Sequence, residues 1–285
     1  MKAKSDFANR PLSFWGNVRK LSEFVGYANK GQIIVPDLDK MQNAYQELGL
    51  SEIVLRTTSG HPTELGKDLI EYFKYRADVL NSQVCDLLMN AAEAKELHDC
   101  LKAELNPSCP LPMNKQKKKK RKPAYFTCII NMTIESTLKD IATTGQTLHC
   151  EYNPGSLPFF TDKEGILFTL SRRVDGAFPD LINPIAIWEI KEYYHTTTFG
   201  SRVADGIYET ILDGFEMNTI RNSKHEGALH YMMVDAKDAW WKQGKSYLCR
   251  IIDLLNMGFI DEVLFGREVC SRLPVLVESW VTRAT

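Results

Sequence analysis

The chain has 285 residues, 44% of them hydrophobic and 25% charged, with a formal net charge of −1. That length buries a full core in one large domain or two small ones, and the near-neutral balance excludes a uniformly basic nucleic-acid coat. No apolar run approaches the roughly 18 residues of a membrane span, so no membrane partner is expected. The opening segment, MKAKSDFANRPLSFWG, has basic residues but no apolar core behind them, so no signal peptide is expected. Seven cysteines without a C-x-x-C pair argue against a disulfide framework or zinc ribbon and for a reducing, cytoplasmic setting.

Residues 1–105 read as a helical N-terminal region. Trp15, Val18, Leu21 and Val25 fall at helical spacing, and Met41, Ala44, Tyr45 and Leu48 repeat the pattern. Pro62 and Thr63 open a long helical stretch to about Leu105, with Leu65, Leu69, Phe73, Leu80, Val84, Leu87, Leu88 and Ala91 on its apolar side. These stripes read as bundle core or a dimer seam. Residues 106–123 follow as a linker or loop: three prolines, then the cationic run Lys115, Lys117, Lys118, Lys119, Lys120, Arg121 and Lys122. Such a run is solvated or faces an anion; a plain linker, an import signal and phosphate contact are all compatible with it.

From 124 to 285 the pattern turns to mixed α/β. A short helix is expected over Thr133 to Thr143, then strands at Thr147 to Tyr152 and Gly165 to Thr169. Val174 to Phe178 and Pro184 to Lys191 form two further strands around the turn Pro179-Asp180-Leu181-Ile182-Asn183. A helix from Ser201, a buried strand at Ala228 to Val234, a helix at Lys245 to Leu255 and a strand at Asp261 to Phe265 complete the set. The order predicts one mixed central sheet flanked by helices.

The stretch Arg172 to Tyr194, RRVDGAFPDLINPIAIWEIKEYY, carries the chemistry. Side chains alternate faces along a strand, so Glu189 and Lys191 share the face of Ile185 and Ile187, while Ala186 and Trp188 take the other. A strand apolar on both sides therefore delivers one acid and one lysine at its end. Buried charges need partners. A hairpin around residues 179–183 brings Asp175 toward Glu189, and two carboxylates on one cation suit Mg²⁺, with the carbonyl of Ile190 as a third oxygen. Bound water would attack a phosphodiester while Lys191 offsets charge in the transition state.

Asp175 followed by Glu189-Ile190-Lys191 at the end of an apolar strand resembles the PD-(D/E)XK nuclease superfamily, the restriction-endonuclease-like fold. The resemblance covers roughly Thr133 to Phe265. It implies Asp175 and Glu189 as metal ligands and Lys191 as the catalytic lysine. It also implies an acid from the first core helix, for which Glu135 is the best positional match and Glu151 the rival. The literal Pro-Asp dipeptide is Pro179-Asp180, so Asp180 competes with Asp175 for the first acid; Asp175 is preferred because it lies in a strand and Asp180 in a turn. Arg202, Asp205, Tyr208 and Glu209 recur along the next helix, where related nucleases contact phosphates, which makes Arg202 and Tyr208 candidates alongside Lys117 to Lys120 and Arg121. The implied activity is Mg²⁺-dependent cleavage of double-stranded DNA by a homodimeric type II restriction endonuclease, in a system that can include a DNA methyltransferase. A repair or phage-defence nuclease, or an inert nucleic-acid-binding relative, are the alternatives. The six histidines fall in no metal-binding spacing, and no Walker motif, dinucleotide fingerprint or G-x-S-x-G elbow is present.

Overall fold

Trp15, Val18 and Leu21, spaced by single helical turns, are buried along one side of α1 (Leu12–Val25). A computed structural model describes residues 1–8, 10–114, 122–142, 148–195, 201–223 and 226–284. After α1 a two-residue hairpin, β1 (Ala28–Asn29) and β2 (Gln32–Ile33), leads into α2 (Leu38–Glu47), where Asp37 accepts the amide of Lys40 at 2.8 Å. Thr63 caps α3 (Glu64–Val79) by accepting the amide of Gly66.

The long helix expected from Pro62 to Leu105 is interrupted. A wide turn over Leu80–Val84 and the short α4 (Cys85–Leu87) end in extended backbone, and α5 (Ala91–Leu105) starts afresh on an Asn90–Glu93 capping box. Tertiary bonds hold the break open: Met89 donates its amide to Asp235 Oδ1 at 2.7 Å, and its carbonyl accepts the amide of Lys237 at 2.8 Å. Helical periodicity runs straight through such a break because the residues on both sides are still apolar.

The helix expected at Thr133 to Thr143 starts earlier, as α6 (Tyr125–Ile141). Five strands form the main sheet: β3 (Glu151–Tyr152), then, past the separate hairpin of β4 (Phe159–Asp162) and β5 (Gly165–Thr169), β6 (Gly176–Phe178) and β7 (Ala186–Glu192). α7 (Ser201–Asn222) crosses to β8 (Leu229–Asp235), α8 (Lys245–Asn256) crosses to β9 (Glu262–Phe265), and α9 (Glu268–Ala284), which the sequence reading did not anticipate, follows. Sheet order is β3-β6-β7-β8-β9, antiparallel from β3 to β7 and parallel from β7 to β9. The expected mixed sheet flanked by helices is therefore what forms.

The two faces of the sheet bury different cores. Ala186, Trp188, Tyr231 and Met233 pack with α6 and α9, and α5 lays Leu97, Leu101 and Leu105 on the same side. Ile187 packs toward Met217 and Ile220 of α7, while Met232, Val234, Val263 and Phe265 meet α7 and α8. Both helical crossovers thus lie on one face, the one that carries Glu189. The N-terminal helices close a third core around Tyr72 and Phe73. They join the sheet unit through a fully buried ion pair: Arg76 Nη1 lies 3.1 Å from Asp253 Oδ1 on α8, Tyr72 donates to the same oxygen at 2.6 Å, and Arg76 Nη2 donates to Ser22 on α1 at 2.9 Å.

Candidate functional site

The first half of β7, Ala186 to Trp188, is apolar on both faces and fixes its place in the sheet. Gly176 pairs with Trp188, so Asp175 falls one residue further along, beside Glu189. Asp175 donates its amide to the carbonyl of Trp188 at 3.0 Å, and its carboxylate Oδ2 accepts the amide of Ile190 at 2.7 Å. The ladder thus ends in a side-chain bond, which sets the Asp175 carboxylate at the edge of the Glu189 row. Glu189 is 0% exposed and Lys191 6%. Lys191 Nζ lies 2.9 Å from Glu189 Oε2 and 2.7 Å from Glu209 Oε2.

Three charged groups beyond the expected trio complete the cluster. Arg172 lies on Glu189, with Nη1 2.8 Å from Oε1 and Nη2 3.1 Å from Oε2, and Nη1 is also 2.6 Å from Asp213 Oδ2. Glu209 and Asp213 stand one helical turn apart on α7 and turn toward β7, and Glu216 continues that face by accepting the amide of Ser171 at 3.2 Å. The sequence reading groups Glu209 with Arg202 and Tyr208 and misses Asp213 and Glu216; the helical spacing of the three acids, after Gly206, is the signal that marks this stripe. A Cβ at Gly206 would stand 3.1 Å from the Tyr193 hydroxyl and 3.2 Å from Lys191 Cδ, so glycine lets α7 close over the lysine.

Electrostatics follow from this packing. Burial, reinforced by the charge of Glu189, pushes the Asp175 carboxyl up to about 6, with Lys191 pulling it back. Burial and Glu189 likewise push Asp213 up to about 7. Burial alone would raise Glu189 too, but Lys191 and Arg172 outweigh it and hold that carboxyl below its usual range. For Lys191, burial would lower the ammonium, and Glu189, Asp175 and Glu209 together raise it instead. Glu189 is the site's fixed negative charge.

The remaining expected residues fall elsewhere. Asp180 is exposed at the hairpin turn and accepts the amide of Leu181. Glu135 sits on α6, on the face of the sheet opposite Glu189, bound to Ser108 and Lys139; α6 packs behind the sheet because its Ile129, Ile130 and Met132 fill the Trp188 core. Glu151 on β3 pairs with Ala177 and meets His149 Nε2 at 2.9 Å. Ile190 contributes its amide to Asp175. Tyr208 is 56% exposed on α7 and lines a 250 Å³ pocket against Tyr27 and Arg250, away from the acidic stripe. Arg202 begins α7, with its side chain outside the described residues, as are Lys117, Lys118, Lys119, Lys120 and Arg121. The ends flanking that run are pinned: the Asn114 amide donates to the Lys122 carbonyl at 2.8 Å. The neck leads into α6, whose Thr127 amide donates to Glu192 Oε2 at 2.8 Å, so it approaches the Lys191 end of β7.

Asp175 and Glu189 offer the hard oxygens Mg²⁺ prefers, with waters completing its shell. Occupancy is a different matter. Arg172 and Lys191 already engage both oxygens of Glu189, and among the described residues no three His, Cys, Asp or Glu side chains are placed to hold a metal ion. The two carboxylates match the donor chemistry of such a site, with Glu189 taken up here by Arg172 and Lys191.

What the fold and cluster define is an α/β protein with a buried charged constellation on its central strand. Residues 89–280 match the family described as "Domain of unknown function (DUF7687)", and the chain belongs to that family; residues 1–83 match "Domain of unknown function (DUF7690)". Neither a curated protein nor a solved structure matches the chain. The two family matches meet ahead of α5, consistent with its packing on α6. Among the described residues no helix is long and apolar enough to cross a membrane.

Proposed function

We propose that this chain is a cation-dependent nuclease acting on phosphodiester bonds in double-stranded DNA, with Asp175 and Glu189 as carboxylate ligands and Lys191 as the catalytic cation. The observation that carries the reading is the placement of Asp175 beside Glu189 on the central strand, with the Lys191 ammonium 2.9 Å from Glu189. Bound Mg²⁺ would supply an acidified water and neutralise phosphate charge. The chain's own residues do the rest. Glu189 keeps its negative charge across the physiological range, and Asp175 is oriented by the Ile190 amide. Lys191, held between Glu189 and Glu209, presents a fixed positive charge where charge develops on the phosphoryl oxygens. The cationic run between Asn114 and Lys122 would add sequence-independent phosphate contacts.

Within this class a type II restriction endonuclease is the favoured form, a homodimer because two strands call for two sites, with a DNA methyltransferase as its companion. A repair or phage-defence nuclease would use the same residues. The test is incubation of the purified chain with plasmid DNA in Mg²⁺ or EDTA. Nicked or linear product in Mg²⁺ alone is expected; intact plasmid in both would end the reading.

One observation favours a second reading, an inert nucleic-acid-binding relative: Arg172 and Lys191 already compensate the buried acids without a cation. DNA binding without cleavage in any divalent metal would support it.

A further inference from the structure

Arg172 is the hub of the charged cluster. Its guanidinium reaches three carboxylates on two elements: Glu189 on β7 at 2.8 Å, and Asp213 and Glu209 on α7 at 2.6 and 3.4 Å. Asp213 is wholly buried, and its other oxygen, Oδ1, has no hydrogen-bond partner although it is shut off from solvent. A buried acceptor left unmet in a native fold asks for an explanation. The side chains of Glu189 and Asp213 are 1% and 0% exposed, that of Arg172 22% and that of Glu209 41%. Arg172 and Glu209 are the members of the cluster that reach solvent, and the guanidinium can leave on the side where Glu189 and Asp213 cannot follow.

We propose that Arg172 is the built-in counter-cation of this site, holding the place between Glu189 and Asp213 that a divalent cation takes once the guanidinium swings out. The inference rests on the cation-dependent reading above and adds Asp213 as an acid that would turn toward that cation, since no three acids of the described residues are placed to hold an ion with the guanidinium where it stands. A divalent ion in contact with carboxylate oxygens brings twice the charge of the guanidinium, concentrated at one point rather than spread over a planar fork. The same fork matches the oxygens of a phosphodiester, so an arriving nucleic-acid strand offers the released guanidinium a new partner. Cation loading and strand binding then favour each other, and the protein without DNA holds its cation weakly.

Binding of Mn²⁺ to the full chain without nucleic acid, read by electron paramagnetic resonance of the free ion, tests this. Arg172→Gln is expected to bind Mn²⁺ at least about tenfold more tightly than the wild type, or to bind where the wild type does not. Asp213→Asn placed in that background is expected to loosen binding again. If Arg172→Gln does not give the wild-type circular dichroism spectrum, Arg172→Lys carries the same test, because one ammonium spans fewer acids than the fork. Should the arginine variants bind no more tightly than a wild type whose binding is lost in Asp175→Asn, the counter-cation role is overturned and the cation site stands. Absence of Mn²⁺ binding in the wild type and both arginine variants would overturn the two together.

Discussion

At the scale of single residues, Lys191 has the sharpest role. Its ammonium touches Glu189 and Glu209, and on the proposed function its contribution belongs to charge that develops during reaction. Lys191→Ala is expected to abolish plasmid cleavage while a gel shift on the same DNA stays within a few-fold of wild type. Near-normal cutting would remove the lysine from the mechanism. Asp235, at the end of β8 on the opposite face, gives a stability prediction. Burial pushes its carboxyl from 3.8 up to about 7, against the opposing bond from Tyr194. The folded chain therefore keeps a proton that the unfolded chain gives up, and this group's contribution falls as pH rises between those two values. Asp235→Asn keeps an oxygen for the amides of Met89 and Ala236. Urea midpoints should accordingly drop less for Asp235→Asn than for the wild type between about pH 5 and 7. Parallel curves would show that the proton is not held there.

The element scale shows what could be read ahead of the structure. β7 was legible because alternation along seven residues left only Glu189 and Lys191 charged on an otherwise apolar face, and its hairpin placed Asp175 rather than Asp180 beside Glu189. Arg172 was not legible as a partner: it lies outside any strand, and only the fold turns it toward α7. Nor was the side of the sheet on which α6 packs, which put Glu135 behind the sheet; a helix's own pattern says that it has an apolar face, not which sheet face receives it. Gly176 shows a further dependence. A Cβ there would stand 2.1 Å from the Trp188 ring, whose indole lies over the glycine and stacks on Trp280 at 5.4 Å. Gly176→Ala should therefore displace Trp188 and destabilise the fold by about 1–3 kcal/mol, the usual range for overpacking a core. A thermal scan within experimental error of wild type would contradict that packing.

For the whole molecule, the ion pair of Arg76 with Asp253 ties the N-terminal helices to the sheet unit. Removing one partner leaves a buried charge alone, so Asp253→Ala should cost about 3–5 kcal/mol. It should also loosen the coupling of the two units, splitting calorimetric unfolding into two transitions where the wild type shows one. Replacing both groups together, Arg76→Met with Asp253→Leu, should restore much of the loss, because apolar pairs often replace buried ion pairs without penalty. A single sharp transition in Asp253→Ala at the wild-type temperature would show that the two units are joined chiefly by other contacts.

The bond from the Asn114 amide to the Lys122 carbonyl has an architectural consequence. Because Asn114 and Lys122 already meet there, a short Asn-Gly turn in place of residues 115–121 should bridge the two anchors without moving either. Such an excision should leave the melting temperature near that of wild type. It should lower DNA affinity for all sequences alike, and the plot of log affinity against log salt should become shallower. Unchanged affinity with an unchanged slope would strip the run of any role in binding. On the expected outcome, grip on the polyanion and the chemistry of cutting sit on separable parts of one chain. Affinity could then be retuned, by adding or subtracting lysines in an insert, without disturbing the geometry of the carboxylates.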